Sequence, residues 1–232
     1  MRLTLALIAV CGLGLVGCDS NETDTPRTFL ITIENPASAP DANGAPNVLS
    51  PGAWAVHTSA IEFFTEGAAA GAGIEGIAED GDPTAMVAAL AGVSDVLSSG
   101  AFDTPVGATD PGPITPGGAY SFTVTASPGD RLSLATMYVQ SNDLFLAFDP
   151  EGIALFNGSD PVSGDLSARM ALWDAGTEVN EEPGTGPNQA PRQAGPNTGT
   201  DENGVIQDIG SVNDGYTYPA PIQAVRITID PQ

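Results

Sequence analysis

Residues 29–33 read Phe-Leu-Ile-Thr-Ile, which sets Phe29, Ile31 and Ile33 on one face of an extended segment and predicts a half-buried strand. Residues 120–126 alternate in the same way, with Tyr120, Phe122 and Val124 inward. The pattern continues over 131–140, 144–148, 153–156, 166–173 and 224–229, with Leu166, Ala168, Met170 and Leu172 opposite Arg169 and Trp173. Between residues 57 and 97 the period changes. Asp82 can cap a helix whose first position is Pro83, and Met86, Val87 and Leu90 recur at helical spacing before Gly92. One or two short helices are expected there. The run Gly71-Ala72-Gly73-Ile74-Glu75-Gly76 imitates a dinucleotide-binding loop but has no preceding strand, and it is read as a turn. Short strands separated by turns define a mainly β chain, an antiparallel β-sandwich. Gly and Pro, 28 and 20 residues of 232, agree with many short elements rather than long helices. Residues 179–204 show no apolar periodicity and form a long loop. Such loops are either functional or disordered, and both readings stand level.

The two ends of the pattern differ in kind. Met1-Arg2 precedes an apolar run from Leu3 to Val16 that is too short to span a bilayer comfortably, followed by Leu15-Val16-Gly17-Cys18. This ending resembles the bacterial lipobox and implies a signal peptide over 1–17, with Cys18 lipidated as the first mature residue. The other reading is an ordinary cleaved signal or a buried apolar helix. An exported chain, lipid-anchored to the cell envelope at the outer membrane or cell surface, is expected. Residues 18–27 are an acidic tether with nothing to bury, and 28–232 are of a size for one domain.

Charge narrows the partners. Twenty-nine acidic residues stand against 6 basic ones, all arginine, for a formal net charge of −23. Nucleic acid and anionic lipid surfaces both require a basic patch, so neither is an expected partner; the membrane is contacted through the lipid alone. An acid excess without lysine suits a marine or halophilic setting, where salt near 1 M screens repulsion within about 3 Å. It equally suits carboxylates that serve divalent cations. Of the two cysteines, Cys11 would leave with the signal and Cys18 would carry lipid, so no disulfide or thiolate chemistry remains.

Catalytic chemistry has few candidates. His57 is the only histidine, no lysine exists, and neither Ser50 nor Ser59 lies in a nucleophile elbow, so His57 is read as a structural histidine. Among 29 acids a carboxylate pair for glycoside hydrolysis carries no information. Calcium is the better-founded expectation, because hard cations take oxygen ligands from acid-rich turns. Three such turns are Ser141-Asn142-Asp143, Asp149-Pro150-Glu151 and Asp174-Ala175-Gly176-Thr177-Glu178.

Those residues carry a resemblance. Ser50-Pro51, His57, Gly67 to Gly71, Ala78-Glu79-Asp80-Gly81, Ser141 to Phe145, Trp173 to Glu178, and Ala220-Pro221-Ile222 leading into Val225 to Thr228 are together similar to the spondin N-terminal domain, the module of F-spondin and mindin. The resemblance covers residues 29–229. It implies a C2-like antiparallel sandwich of about eight strands, no enzymatic activity, and binding of cell-surface proteins or microbial glycans. It also implies calcium at one end of the sandwich, held by Asp143 and Asp174 with Glu178 as an addition. The family's third acid, on a strand corresponding to 120–126, has no counterpart here, and the family's tryptophan after the Ser-x-Asp turn is Leu144. The function expected is a surface-displayed, non-catalytic binding or adhesion module. The alternatives are an extracellular polysaccharide hydrolase using a carboxylate pair and a purely structural envelope protein.

Overall fold

A computed structural model of the chain describes residues 25–232. The expected signal peptide, Cys18 and most of the expected acidic tether lie outside the described residues. The strands are β1 (Arg27–Glu34), β2 (Leu49–His57), β3 (Val96–Phe102), β4 (Ala119–Ala126), β5 (Arg131–Tyr138), β6 (Leu144–Ala147), β7 (Ile153–Ala154), β8 (Phe156–Asn157), β9 (Asp160–Pro161), β10 (Gly164–Asp165), β11 (Ala171–Asp174), β12 (Gln207–Asp208) and β13 (Arg226–Pro231). The helices are α1 (Ala72–Asp80), α2 (Thr84–Leu90) and the single turn α3 (Pro221–Ala224). Strands β1 to β6, β11 and β13 are the eight with four residues or more.

All pairings are antiparallel. One sheet runs β10-β13-β1-β4, and a seven-stranded sheet runs β12-β11-β6-β5-β2-β3 with β7 beside β5. The alternation read at β1 and β4 sits in the smaller sheet, where Phe29, Ile31 and Ile33 point into the core. The larger sheet is covered on both faces. Leu132, Leu134, Leu144, Leu146 and Leu172 pack against the smaller sheet. Their neighbours Ala135, Phe145, Ala147 and Trp173 pack against Ile74 and Ile77 of α1 and Met86 and Leu90 of α2. The molecule is thus a sandwich with a third, partly helical layer.

Several local expectations change. Residues 166–173 are not one strand: a 3₁₀ turn, Ser167–Arg169, precedes β11, because Ser167 engages Asp165 by both its backbone N–H and its hydroxyl. Gly71 to Gly76 is not a turn but the start of α1, with Gly71 at its N-cap and Ile74, Ile77 and Ala78 on the buried face. In α2, Pro83 occupies the N-cap and Asp82 accepts from the Thr84 N–H at 2.9 Å, so the helix starts one residue later than expected. β2 and β3 have no alternation to reveal them. β2 is buried at most positions on both faces, and β3, Val-Leu-Ser-Ser-Gly-Ala-Phe, pairs only with β2 at the edge of the sheet.

His57, fully buried at the end of β2, is satisfied on both nitrogens. The Thr58 carbonyl, 2.8 Å from Nδ1, only accepts, so Nδ1 carries the proton and Nε2 accepts from the Ser133 hydroxyl at 2.9 Å. Burial lowers the His57 pKa below 6.5, with the Thr58 carbonyl opposing and Arg131 assisting. The stability that comes from keeping this ring neutral is complete above pH 6.5 and is lost as pH falls toward the lowered folded value. In urea titrations at about pH 8 and about pH 5, the wild type is expected to lose more stability than His57→Gln. Parallel losses in the two proteins would refute this.

Candidate metal centre

Topology explains why two distant acids meet. β6 and β11 are antiparallel neighbours in which Leu144 pairs with Asp174, so Asp143, one residue before β6, adjoins the last residue of β11. Both carboxylates are fully buried. One Asp143 oxygen, Oδ2, accepts from the backbone N–H of Thr177 at 3.0 Å and of Glu178 at 3.1 Å, with the Thr177 hydroxyl at 3.4 Å. Asp174 Oδ1 accepts from the Gly176 N–H at 2.7 Å and Oδ2 from the Asn180 amide at 2.9 Å. The Asp174 turn is therefore wrapped around Asp143.

The third acid comes from the long loop. Residues 176–179 pair with the returning end of 179–204: Val179 N–H donates to Thr200, Glu202 N–H to Thr177, and Gly204 N–H to Gly176 at 2.7 Å. This brings Glu202 to the two aspartates, and one oxygen from each of Asp143, Asp174 and Glu202 lies within 4.8 Å of the others. These three form a group that could hold a metal ion. Two oxygens at its edge lack donors: Asp143 Oδ1 and Asn180 Oδ1 are both buried without a hydrogen-bond partner.

Electrostatics leaves this group uncompensated. Burial, and then the charge of Asp174, raises the Asp143 carboxyl well above the usual carboxylate range. Asp174 is raised by burial, and Glu202 by burial, then by Asp174 and Asp214. Both ion pairs among the described residues belong to Arg226, which joins Glu34 and Asp165. None of the described arginines forms an ion pair with Asp143, Asp174 or Glu202, whereas a divalent cation would neutralise them.

Of the residues expected to bind metal, Asp143 and Asp174 come together and Glu178 stays outside the trio. Glu178 is buried, but its Oε1 accepts from the Gly199 N–H at 2.7 Å, which ties it to the loop. The turn at Asp149 is elsewhere and is a plain bend: Gly152 N–H returns to Asp149, and Arg131 clamps the Glu151 and Gly152 carbonyls at 2.6 and 2.7 Å. The third acid beside Asp143 and Asp174 is Glu202. Sequence reasoning passed over it inside an unpatterned stretch, although Asp201-Glu202-Asn203-Gly204 is an acid-rich turn of the same kind as the other three.

The stretch 179–204 is folded onto the body. Gln189 is fully buried and donates to the Glu182 carbonyl, and Gln193 donates to Asp80 of α1 at 2.9 Å. Beside it, Glu79 of α1 is pushed up to about 7 by burial, partly opposed by the Thr177 hydroxyl and reinforced by Glu178. No helix among the described residues is long and apolar enough to cross a membrane. The chain matches no model of a known protein family and no curated protein.

Proposed function

We propose that the chain is a calcium-stabilised, non-catalytic binding module displayed on the bacterial cell envelope through lipid on Cys18, where it adheres to or recognises an extracellular polymer, glycan or cell-surface protein. The observation that carries the calcium reading is the Asp143 oxygen that is buried, has no donor and sits against two further carboxylates. Asp143, Asp174 and Glu202 would hold the ion, with Asn180 Oδ1 beside them. Calcium binds oxygens at about 2.3–2.6 Å, so two ligands of one ion stand at most about 5 Å apart, which accommodates the spacing of this trio; magnesium demands a tighter octahedron. Bound calcium would supply structure and neutralise the acids that close this end of the sandwich. The anchor and the resemblance to the spondin N-terminal domain support the remainder of the reading, and the Ser133–His57 pair is buried inside the fold.

Calcium titrated into metal-stripped protein is expected to bind at one tight site and to raise the melting temperature. At about 100 times Kd the linkage is about 2.7 kcal/mol, or roughly 5–11 °C for a domain of this size. Asp174→Ala is expected to lose both the heat of binding and the rise. Absence of any shift in the wild type at millimolar calcium would sink the proposal.

A further inference from the structure

A second feature lies away from the three-acid centre. A cavity of about 430 Å³ is walled by Asp41 from the β1–β2 connection, Glu182 from the long loop, and Tyr216 and Tyr218 from the segment before α3. Tyr138, the last residue of β5, lines it from the core side. The Asn43 amide donates to the Pro183 carbonyl at 2.8 Å and so pins together the two stretches that carry Asp41 and Glu182.

The tyrosines are fixed by a carboxylate. Asp214 accepts from the Tyr216 N–H at 2.9 Å and from the Tyr218 hydroxyl at 2.5 Å. Donation to an anion enriches the Tyr218 ring in electron density, which strengthens its attraction for a cation. Tyr216 is 40% exposed, unusual for a large aromatic ring, and borders the opening. Tyr138 is only 1% exposed and closes the cavity from below. Neither arginine nor histidine lines the cavity.

An anion would be repelled by Asp41 and Glu182, and no basic side chain lines the cavity to receive one. We infer that this cavity binds an organic cation, an ammonium group held among the tyrosine rings and the two carboxylates. The group could be a free alkylammonium solute or the side chain of a lysine in a polypeptide partner. This inference deepens the reading of a binding module but does not rest on the metal centre: calcium can stabilise the fold whether or not the cavity takes an ammonium.

Calorimetry on the calcium-loaded chain tests it, with tetramethylammonium chloride and the peptide acetyl-Gly-Lys-Gly-amide as probes and maltose as the neutral control. Sodium chloride near 1 M, with a screening length of about 3 Å, suppresses diffuse attraction to the acidic surface. Saturable binding of at least one ammonium probe is expected, weakened about two- to fivefold in each of Tyr216→Ala, Glu182→Gln and Asp41→Asn. These side chains are exposed, so unchanged melting temperatures should confirm that the variants fold. Binding of tetramethylammonium alone identifies a solute site and binding of the peptide alone a polypeptide site, and either supports the inference. It is overturned if neither probe saturates, if the three variants bind as well as the wild type, or if maltose binds instead.

Discussion

Asp143→Asn is expected to reverse its effect with calcium: it should melt higher than the wild type in chelator and lower in saturating calcium. In chelator the wild type carries a fully buried carboxylate whose charged form is opposed by desolvation and by Asp174. An asparagine keeps an acceptor for the Thr177 and Glu178 N–H groups, and its amide replaces the buried Asp143 oxygen that has no donor. In calcium the advantage passes to the wild type, because the ion exchanges repulsion among three acids for attraction and the variant has lost a charged ligand. The calcium-dependent rise of roughly 5–11 °C should therefore be abolished or greatly reduced in Asp143→Asn. Paired melting curves with chelator and with calcium make the comparison, and Asp149→Asn, in a bend outside the centre, serves as the control. A variant that kept the full calcium-dependent rise would show that Asp143 binds no ion.

The same centre shows what a one-dimensional reading can carry. Asp143 and Asp174 were legible because each lies in an acid-rich turn at a strand end. The meeting of the two depends only on β6 and β11 being neighbours, a relation that short strands in a sandwich make common. Glu202 was not legible. Its position follows from backbone pairing between 176–179 and 200–204, and such pairing leaves no hydrophobic signature when neither strand buries an apolar face. Glu178 is a separate case: closeness to Asp174 in sequence says nothing about which way its carboxylate turns, and one of its oxygens accepts from the Gly199 N–H while the other is buried without a partner.

The fold divides in the same way. β1 and β4 expose one face and bury the other, so their alternation survives in the sequence. β2 lies within a sheet covered by the smaller sheet on one side and by α1 and α2 on the other. A strand buried on both faces has no polar face to alternate with, and Pro51 and Gly52 within it further resemble a turn. α1 was hidden by its glycines. Gly73 and Gly76 lower helix propensity, yet a Cβ at Gly73 would come within 2.9 Å of the Met86 backbone, so close packing of α1 on α2 accounts for that glycine.

A large loss from a single methyl group is expected at Gly176, where fold and centre share one residue. Gly176 has φ +66, its N–H donates to Asp174, and its carbonyl accepts from Gly204. A Cβ there would lie 2.6 Å from the Val205 nitrogen and 2.7 Å from the Val205 oxygen, both backbone atoms that no rotamer change can move aside. Gly176→Ala therefore adds the left-handed strain of an alanine, about 1–2 kcal/mol, to an overpacking cost of about 1–3 kcal/mol. Gly107→Ala separates the two effects, since Gly107 has φ +85 but nothing within 4 Å of its Cβ position. Gly107→Ala should pay the backbone strain alone and bind calcium normally. Gly176→Ala should lose stability further and bind calcium more weakly, because the displaced Gly204-Val205 backbone carries Glu202 away from the two aspartates. Urea unfolding and calcium titration of both variants measure this difference. Equal stability and equal affinity in the two would mean that the Gly176–Val205 contact neither supports the fold nor positions the third acid.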